Sequence, residues 1–247
     1  MSDALFLAEV VGAGVGQTVT VTGDEARHAA TVRRIRAGEQ VMVSDGRGHG
    51  IRGTVVSASP QALVVEVREV LEAHPSSLQV TAVQALAKGD RSELAVEMLT
   101  EVGARAIVAW QASRSIVRWQ GERGDKALAK WRATAIQATK QSRRLLVPEV
   151  GAANTREVCE LLESSDLALV LHEEAVLHVA DVVLPDAGRV VLVIGPEGGI
   201  SPDELSAFEA AGGRAVSISD GVLRTSTAGA VAVGQLLALA RARGARE

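Results

Sequence analysis

The pattern of apolar and polar positions changes once along this chain, near residue 73. Before it, apolar residues alternate with polar ones in short runs at Leu5–Val11, Gln17–Thr22, Gln40–Ser44, Ile51–Ser57 and Ala62–Val70. A period of two marks strands that bury one face, so five strands of an antiparallel sheet are predicted, with Asp45-Gly46-Arg47-Gly48 as a turn. A single helix is expected from Asp24 to Arg36. Five short strands and one helix make a small barrel-like β domain over residues 1–72, and Glu72-Ala73-His74-Pro75-Ser76-Ser77 reads as the linker that follows.

From Leu78 onward, strand-sized apolar runs alternate with helix-sized segments. Strands are expected at Leu78–Leu86, Ala106–Trp110, Leu167–Leu171, Val190–Ile194 and Ala215–Ile218. Helices are expected at Arg91–Val102, Asp125–Arg143, Thr155–Leu162 and Ser226–Ala242, with another opening after Ser201. This alternation predicts a parallel sheet with crossover helices, so residues 73–247 read as an α/β domain. Two helix starts carry the capping-box pattern: Asp90 with Glu93, and Ser201 with Glu204, the latter with Pro202 at the first helical position. Gly103 marks a helix end.

The densest local signal is Gly195–Glu204, GPEGGISPDE. It joins the uninterrupted apolar run Val190–Ile194, the kind a strand covered on both faces needs, to a strongly marked helix start. Glycines there let a ligand approach the backbone at the carboxyl end of a strand, where open α/β sheets bind ligands. Two further loops, His172-Glu173-Glu174 and Ser219–Ala228, end other strands of the same expected sheet. Three loops on one edge can form a pocket for a nucleoside-sized ligand.

Composition narrows the chemistry. With 247 residues and 47% hydrophobic content the chain is long enough for one large or two modest folded domains. No apolar run is long enough to span a membrane, and no basic region precedes an apolar one at the N-terminus, so a cytoplasmic protein with no membrane partner is expected. Cys159 is the only cysteine, which excludes an internal disulfide and a cysteine-based zinc site. The five histidines lack metal-ligand spacing, so no metal is expected. There is no phosphate-binding loop of the Walker type and no GxGxxG in a first strand-to-helix turn. The net charge is −4, yet Lys88–Arg144 holds twelve Lys or Arg against six Asp or Glu, a net of +6. A solvated helix face gives the same pattern as a nucleic-acid surface.

Several short motifs fall in an order and spacing that is specific as a set. They are His28, Val32 and Arg34 before Gly38-Glu39; Asp45-Gly46 and Gly48; Lys88-Gly89-Asp90-Arg91 with Glu93; Thr100-Glu101-Val102-Gly103; Arg114-Ser115; Gln141-Ser142 with Arg144 and Pro148; Gly195–Gly199; and Leu223-Arg224-Thr225 with Thr227-Ala228. Over nearly its whole length the chain resembles the ribosomal RNA small subunit methyltransferase E family, of the SPOUT superfamily. That resemblance implies a PUA-like RNA-binding barrel before an α/β domain with a trefoil knot, S-adenosylmethionine as cofactor, a homodimer, and methylation of uridine N3 in 16S ribosomal RNA of the small subunit. The positions it implies for the cofactor are Leu171, His172, Ile194, Gly195, Pro196, Glu197, Gly198, Gly199, Ile218, Ser219, Val222, Leu223, Arg224, Thr225, Thr227 and Ala228. Ser219, Gly221, Ile200 and Ser226 depart from the family pattern, which commonly has glycine, arginine, phenylalanine and glutamate there.

Methylating N3 requires loss of an imide proton and an in-line approach to the donor methyl. A cation near the uracil oxygens favours the anionic base, which makes Arg224 the first candidate and Arg114 the second. Glu197 is the candidate general base or holder of the donor's amino group, or else a charge partner for a helix N-terminus. His28, Arg34, Lys88, Arg91, Arg114, Gln141, Arg143 and Arg144 are the candidate RNA contacts. Ribose 2′-O-methylation and RNA binding without catalysis are the alternative functions on the same fold.

Overall fold

The computed structural model describes residues 3–74 and 76–244, so Pro75 of the expected linker lies outside the described residues. The chain divides into two compact units, Met1–His74 with Ile136–Val147, and Pro75–Ala135 with Pro148–Glu247.

The first unit is built on β1 (Ala4–Leu7), β2 (Thr18–Thr22), β3 (Gln40–Ser44), β4 (His49–Ala58) and β5 (Ala62–Glu72), in the order β1-β3-β4-β5-β2. The expected strands are present, and their alternating apolar residues, among them Val21, Val43, Ile51, Leu63 and Val65, form one core. The expected antiparallel arrangement needs one correction: β1 pairs with β3 in parallel. Alternation fixes which face is buried and says nothing about strand direction. The expected helix also ends early. It consists of α1 (Gly23–Arg27) and a π-helical turn at His28–Val32, and Arg34 then takes a left-handed conformation, φ 54°.

Residues 136–147, which the hydrophobic pattern assigned to the second domain, complete this first unit. The Ser44 hydroxyl and the Gly48 amide both donate to the Leu145 carbonyl, and the Val147 amide donates to the Gly46 carbonyl. Lys140 Nζ meets Glu25 Oε1 at 2.7 Å, with little of the lysine side chain exposed. Pairings between segments about a hundred residues apart leave no local pattern to read.

The second unit carries β6 (Leu78–Ala85), α2 (Arg91–Val102), β7 (Ala106–Trp110), the first two-thirds of α3 (Gly121–Ser142), β8 (Glu149–Ala153), α4 (Thr155–Glu163), β9 (Leu167–Leu171), β10 (Gly188–Ile194), α5 (Pro202–Ala210), β11 (Arg214–Val216) and α6 (Thr225–Gly244). Its six strands run in the order β11-β9-β10-β6-β7-β8, and every pairing is parallel. The sixth strand, β8, was not expected: an edge strand of sequence EVGAA has almost no β-branched content to betray it.

Burial on both faces explains the continuous apolar runs. Val190, Leu192 and Ile194 of β10 join one core with Leu99 of α2, Trp131 of α3 and Val233 and Leu236 of α6. Val191 and Val193 join the other with Val158 of α4 and Phe208 of α5, where Trp110 meets Phe208 edge to face at 5.2 Å. Because all strands are parallel, every strand-to-helix loop emerges on one edge, and that shared edge is where the candidate site lies.

The two expected capping boxes differ. At α5 the box forms, with the Glu204 amide donating to Ser201 Oγ at 3.3 Å and the Ser201 amide donating to Glu204 Oε2 at 3.1 Å. At α2 it does not: Asp90 already has helical torsions and its side chain caps nothing. There the Ser92 hydroxyl accepts from the Ala87 amide and donates to the Ala87 carbonyl, while Glu93 pairs with Lys130 at 2.8 Å.

Candidate active site

The carboxyl edge of the second unit's sheet holds a cleft of about 790 Å³. Its walls are the turn after β10, the loops after β9 and β11, and the first residues of α6, so the three loops singled out in the sequence do converge. Leu171, His172, Ile194–Gly199, Ile218, Ser219, Val222–Thr225 and Ala228 all line it, and so do Arg91 and Arg114. Thr227 is the one expected cofactor position that does not; its amide donates to the Arg224 carbonyl instead. Glu173, Glu174 and Asp220, which lie in the loops singled out in the sequence but were not named individually as cofactor positions, add carboxylates to the lining; Leu205 and Val216, which the sequence reading missed, add apolar surface. Their proximity to the predicted loops was the available signal.

Local chemistry shapes the turn. Gly199 has φ 72°, a conformation that glycine adopts without steric cost, and its amide donates to the Pro196 carbonyl at 2.9 Å. The buried Thr225 hydroxyl donates to the Gly195 carbonyl at 2.6 Å and accepts from Gln84 Nε2 at 3.0 Å, which ties the start of α6 to β10 and β6. Glu197 Oε1 accepts from the Lys88 amide at 3.3 Å and lies 3.8 Å from the Arg91 guanidinium. Its partners are therefore on the loop after β6 and at the first residue of α2, not on the first turn of α5. His172 Nδ1 accepts from the Glu174 amide at 3.2 Å, which places the proton of the neutral ring on Nε2.

Arg114 reaches across from the loop after β7 and donates to the carbonyls of Gly198 at 3.2 Å and Ile200 at 3.4 Å. The backbone of that loop is held by Glu204. Oε1 accepts from the Ser113 amide at 2.7 Å and Oε2 from the Ser113 hydroxyl at 2.8 Å, while Oε2 also accepts from the Ser201 hydroxyl at 2.8 Å. Burial acts to raise the Glu204 pKa, but the hydrogen bonds from Ser113 and Ser201 outweigh it and hold the carboxyl below its ordinary range. Arg224 differs from Arg114. Arg224 lines the cleft, and among the described residues no hydrogen bond or ion pair engages its guanidinium.

The candidate RNA contacts divide between the units. His28, Arg34, Gln141, Arg143 and Arg144 belong to the first, and Lys88, Arg91 and Arg114 to the second. Arg34 and Arg143 are the two non-glycine residues with positive φ among the described residues, at 54° and 55°. Such a conformation costs about 1–2 kcal/mol per residue. Arg143 is exposed, whereas Arg144 is half-buried and burial draws its pKa down. Among the described residues no group of three or more His, Cys, Asp or Glu side chains is placed to hold a metal ion, and no helix is long and apolar enough to cross a membrane.

Two family models match the chain: an RNA methyltransferase domain over residues 74–237 and an RNA methyltransferase PUA domain over residues 21–68. The ribosomal RNA small subunit methyltransferase E of Mycobacterium bovis is 48% identical over 224 residues, covering 89% of this chain and 86% of its own. The Bacillus subtilis protein of the same name is 28% identical over 222 residues, 85% of this chain and 86% of its own. The crystal structure of a ribosomal RNA small subunit methyltransferase E from Neisseria gonorrhoeae bound to S-adenosyl methionine superposes with a TM-score of 0.83 at 28% identity, covering 96% of this chain and 98% of that one. These matches agree with the expected order of a PUA-like β unit followed by an α/β RNA methyltransferase unit. The chain belongs to the ribosomal RNA small subunit methyltransferase E family.

Proposed function

We propose that this protein transfers the methyl group of S-adenosylmethionine to N3 of a uridine in 16S ribosomal RNA, with the first unit, Met1–His74 and Ile136–Val147, holding RNA and the second unit carrying the chemistry. The observation that carries this reading is the cleft itself: three loops of one parallel sheet close around about 790 Å³, a volume typical of small-molecule sites, with Arg224 unengaged on its wall. The lining fits the donor. Gly198 and Gly199 line the cleft without side chains, and the carboxylates of Glu173, Glu174 and Asp220 suit a ligand that carries a sulfonium and an amino group. The expected cofactor positions, Thr227 aside, supply the wall.

When bound, S-adenosylmethionine supplies a methyl group already activated on a sulfonium. The chain's own residues do the rest. The Arg224 guanidinium, with no partner to give up, stabilises the charge that develops on a uracil carbonyl oxygen as the imide proton leaves. Arg114 is the second cation, anchored to two backbone carbonyls of the turn. Glu197, poised by the Lys88 amide and Arg91, either takes the proton or holds the donor's amino group. His28, Arg34, Gln141, Arg143 and Arg144 in the first unit, with Lys88 and Arg91 in the second, hold RNA phosphates.

The protein acts in the cytoplasm on the small ribosomal subunit and works as a homodimer. Support for the dimer is α6, which is apolar on nearly all sides: beyond Ala232, Val233 and Leu236, which its own core buries, Val231, Leu237 and Leu239 remain only half-buried. Light scattering at micromolar concentration should give twice the monomer mass; a monomer mass would refute the dimer. The activity is tested by mass spectrometry of 16S ribosomal RNA from cells with and without the gene. Loss of one 3-methyluridine is expected. Loss of a ribose methyl would assign the 2′-O reaction instead, and unchanged RNA would leave a binding factor without catalysis.

A further inference from the structure

Glu204 lies outside the cleft lining, yet it makes more hydrogen bonds to the loops around the site than its capping role at α5 requires. A capping box needs this side chain only for the Ser201 amide. Here the same carboxylate, 7% exposed, also accepts from both the amide and the hydroxyl of Ser113. Ser113 is the residue before Arg114, and the Arg114 guanidinium returns to the carbonyls of Gly198 and Ile200. The two connections form a ring: turn to α5, Glu204 to Ser113, Arg114 back to the turn. Arg118 reinforces it by donating to the Ser113 carbonyl at 2.8 Å. A Cβ added at Gly198 would stand 3.3 Å from Arg114 Cβ, so the turn and the Arg114 backbone are in close packing as well.

We propose that Glu204 is a positioning residue for the methyl transfer, fixing Arg114 and the Gly195–Ile200 turn as one rigid wall of the cleft. This rests on the reading of Arg114 as a cation of the active site. A glutamine cannot replace it. Its amide nitrogen must take the place of one carboxylate oxygen, and each oxygen faces a backbone amide, Ser113 on Oε1 and Ser201 on Oε2, so one donor would point at another.

The test is a double-mutant cycle on the single-turnover methylation rate at saturating donor and RNA, normalised to donor-binding sites so that unfolded protein does not count. Glu204→Gln should slow the step about tenfold or more, because small misplacements of a positioning group have effects of that order. Arg114→Ala should slow it by a similar factor, and the double variant should be no slower than Arg114→Ala alone. Ser113→Ala, which removes one hydroxyl bond and leaves the carboxylate in place, should give a smaller loss in the same direction and protects the test against a Glu204 variant that folds poorly. Factors that multiply in the double variant would overturn the proposal, as would a wild-type rate per site in Glu204→Gln. Hydrogen exchange gives a reading independent of activity. In Glu204→Gln the Ser113 or the Ser201 amide, whichever faces the glutamine nitrogen, should exchange faster, and unchanged protection of both would overturn the proposal even if the reaction assigned to this protein were another one.

Discussion

The helices that follow β6 and β10 open with the same sequence pattern, a small polar residue and a glutamate three positions later, and the structure uses the pattern differently in the two places. After β10, Ser201 and Glu204 exchange bonds as the pattern predicts, and Glu204 adds Ser113. After β6, Asp90 caps nothing, Ser92 ties the helix start to Ala87, and Glu93 turns to Lys130. The glutamate goes where donors are best placed. At α5 two amides and two hydroxyls surround a buried carboxylate; at α2 the glutamate pairs with a lysine whose side chain is 63% exposed. A capping pattern therefore locates a helix start, and the tertiary surroundings decide how much the carboxylate stabilises.

Changing each glutamate separates the two cases. Glu204→Gln should lower the unfolding free energy by about 1.5–3 kcal/mol, the range for hydrogen bonds to a buried charged group, measured by denaturant titration of both variants. The effect should depend on pH. The folded Glu204 pKa lies below its unfolded value, so the carboxylate's contribution is complete above the unfolded pKa, about 4.3, and is lost as pH falls through the folded value. The stability gap between wild type and Glu204→Gln should thus be constant near neutrality and shrink in acid; a gap that widens in acid would contradict the assignment. Ser92→Ala, which leaves the Ala87 amide and carbonyl without their shared partner, should cost about 1 kcal/mol. Glu93→Gln should change stability by less than about 1 kcal/mol, as exposed ion pairs do, and leave methylation unaltered. If Glu93→Gln cost as much as Glu204→Gln, the contrast between the two helix starts would be wrong.

The same contrast shows how far the sequence could be read. Strands with a clear period of two, or with the double-sided apolar run of Val190–Ile194, were legible because burial dictates residue type. β8 was not, since Gly151, Ala152 and Ala153 fit an edge as readily as a loop. The parallel pairing of β1 was invisible because side-chain alternation is the same in either direction. The expected helix through Arg36 ran too far because its apolar spacing continues past the π-turn, where Arg34 leaves the helical region. The three cleft loops were legible because glycine at Gly199 and hydroxyls at Ser201 and Thr225 serve specific backbone needs. The link from Glu204 to Ser113 was not, because it joins residues 91 positions apart.

Titration of S-adenosylmethionine into wild type and Gly198→Val tests most directly the claim that the turn after β10 is the donor's seat. The added side chain begins 3.3 Å from Arg114 Cβ and 3.4 Å from the Arg114 carbonyl oxygen, so the turn and the Arg114 loop must move apart where the cleft wall is formed. The account predicts binding heat with wild type and none with Gly198→Val, the variant remaining folded by circular dichroism. Wild-type affinity in the folded variant would place the donor elsewhere and contradict the account.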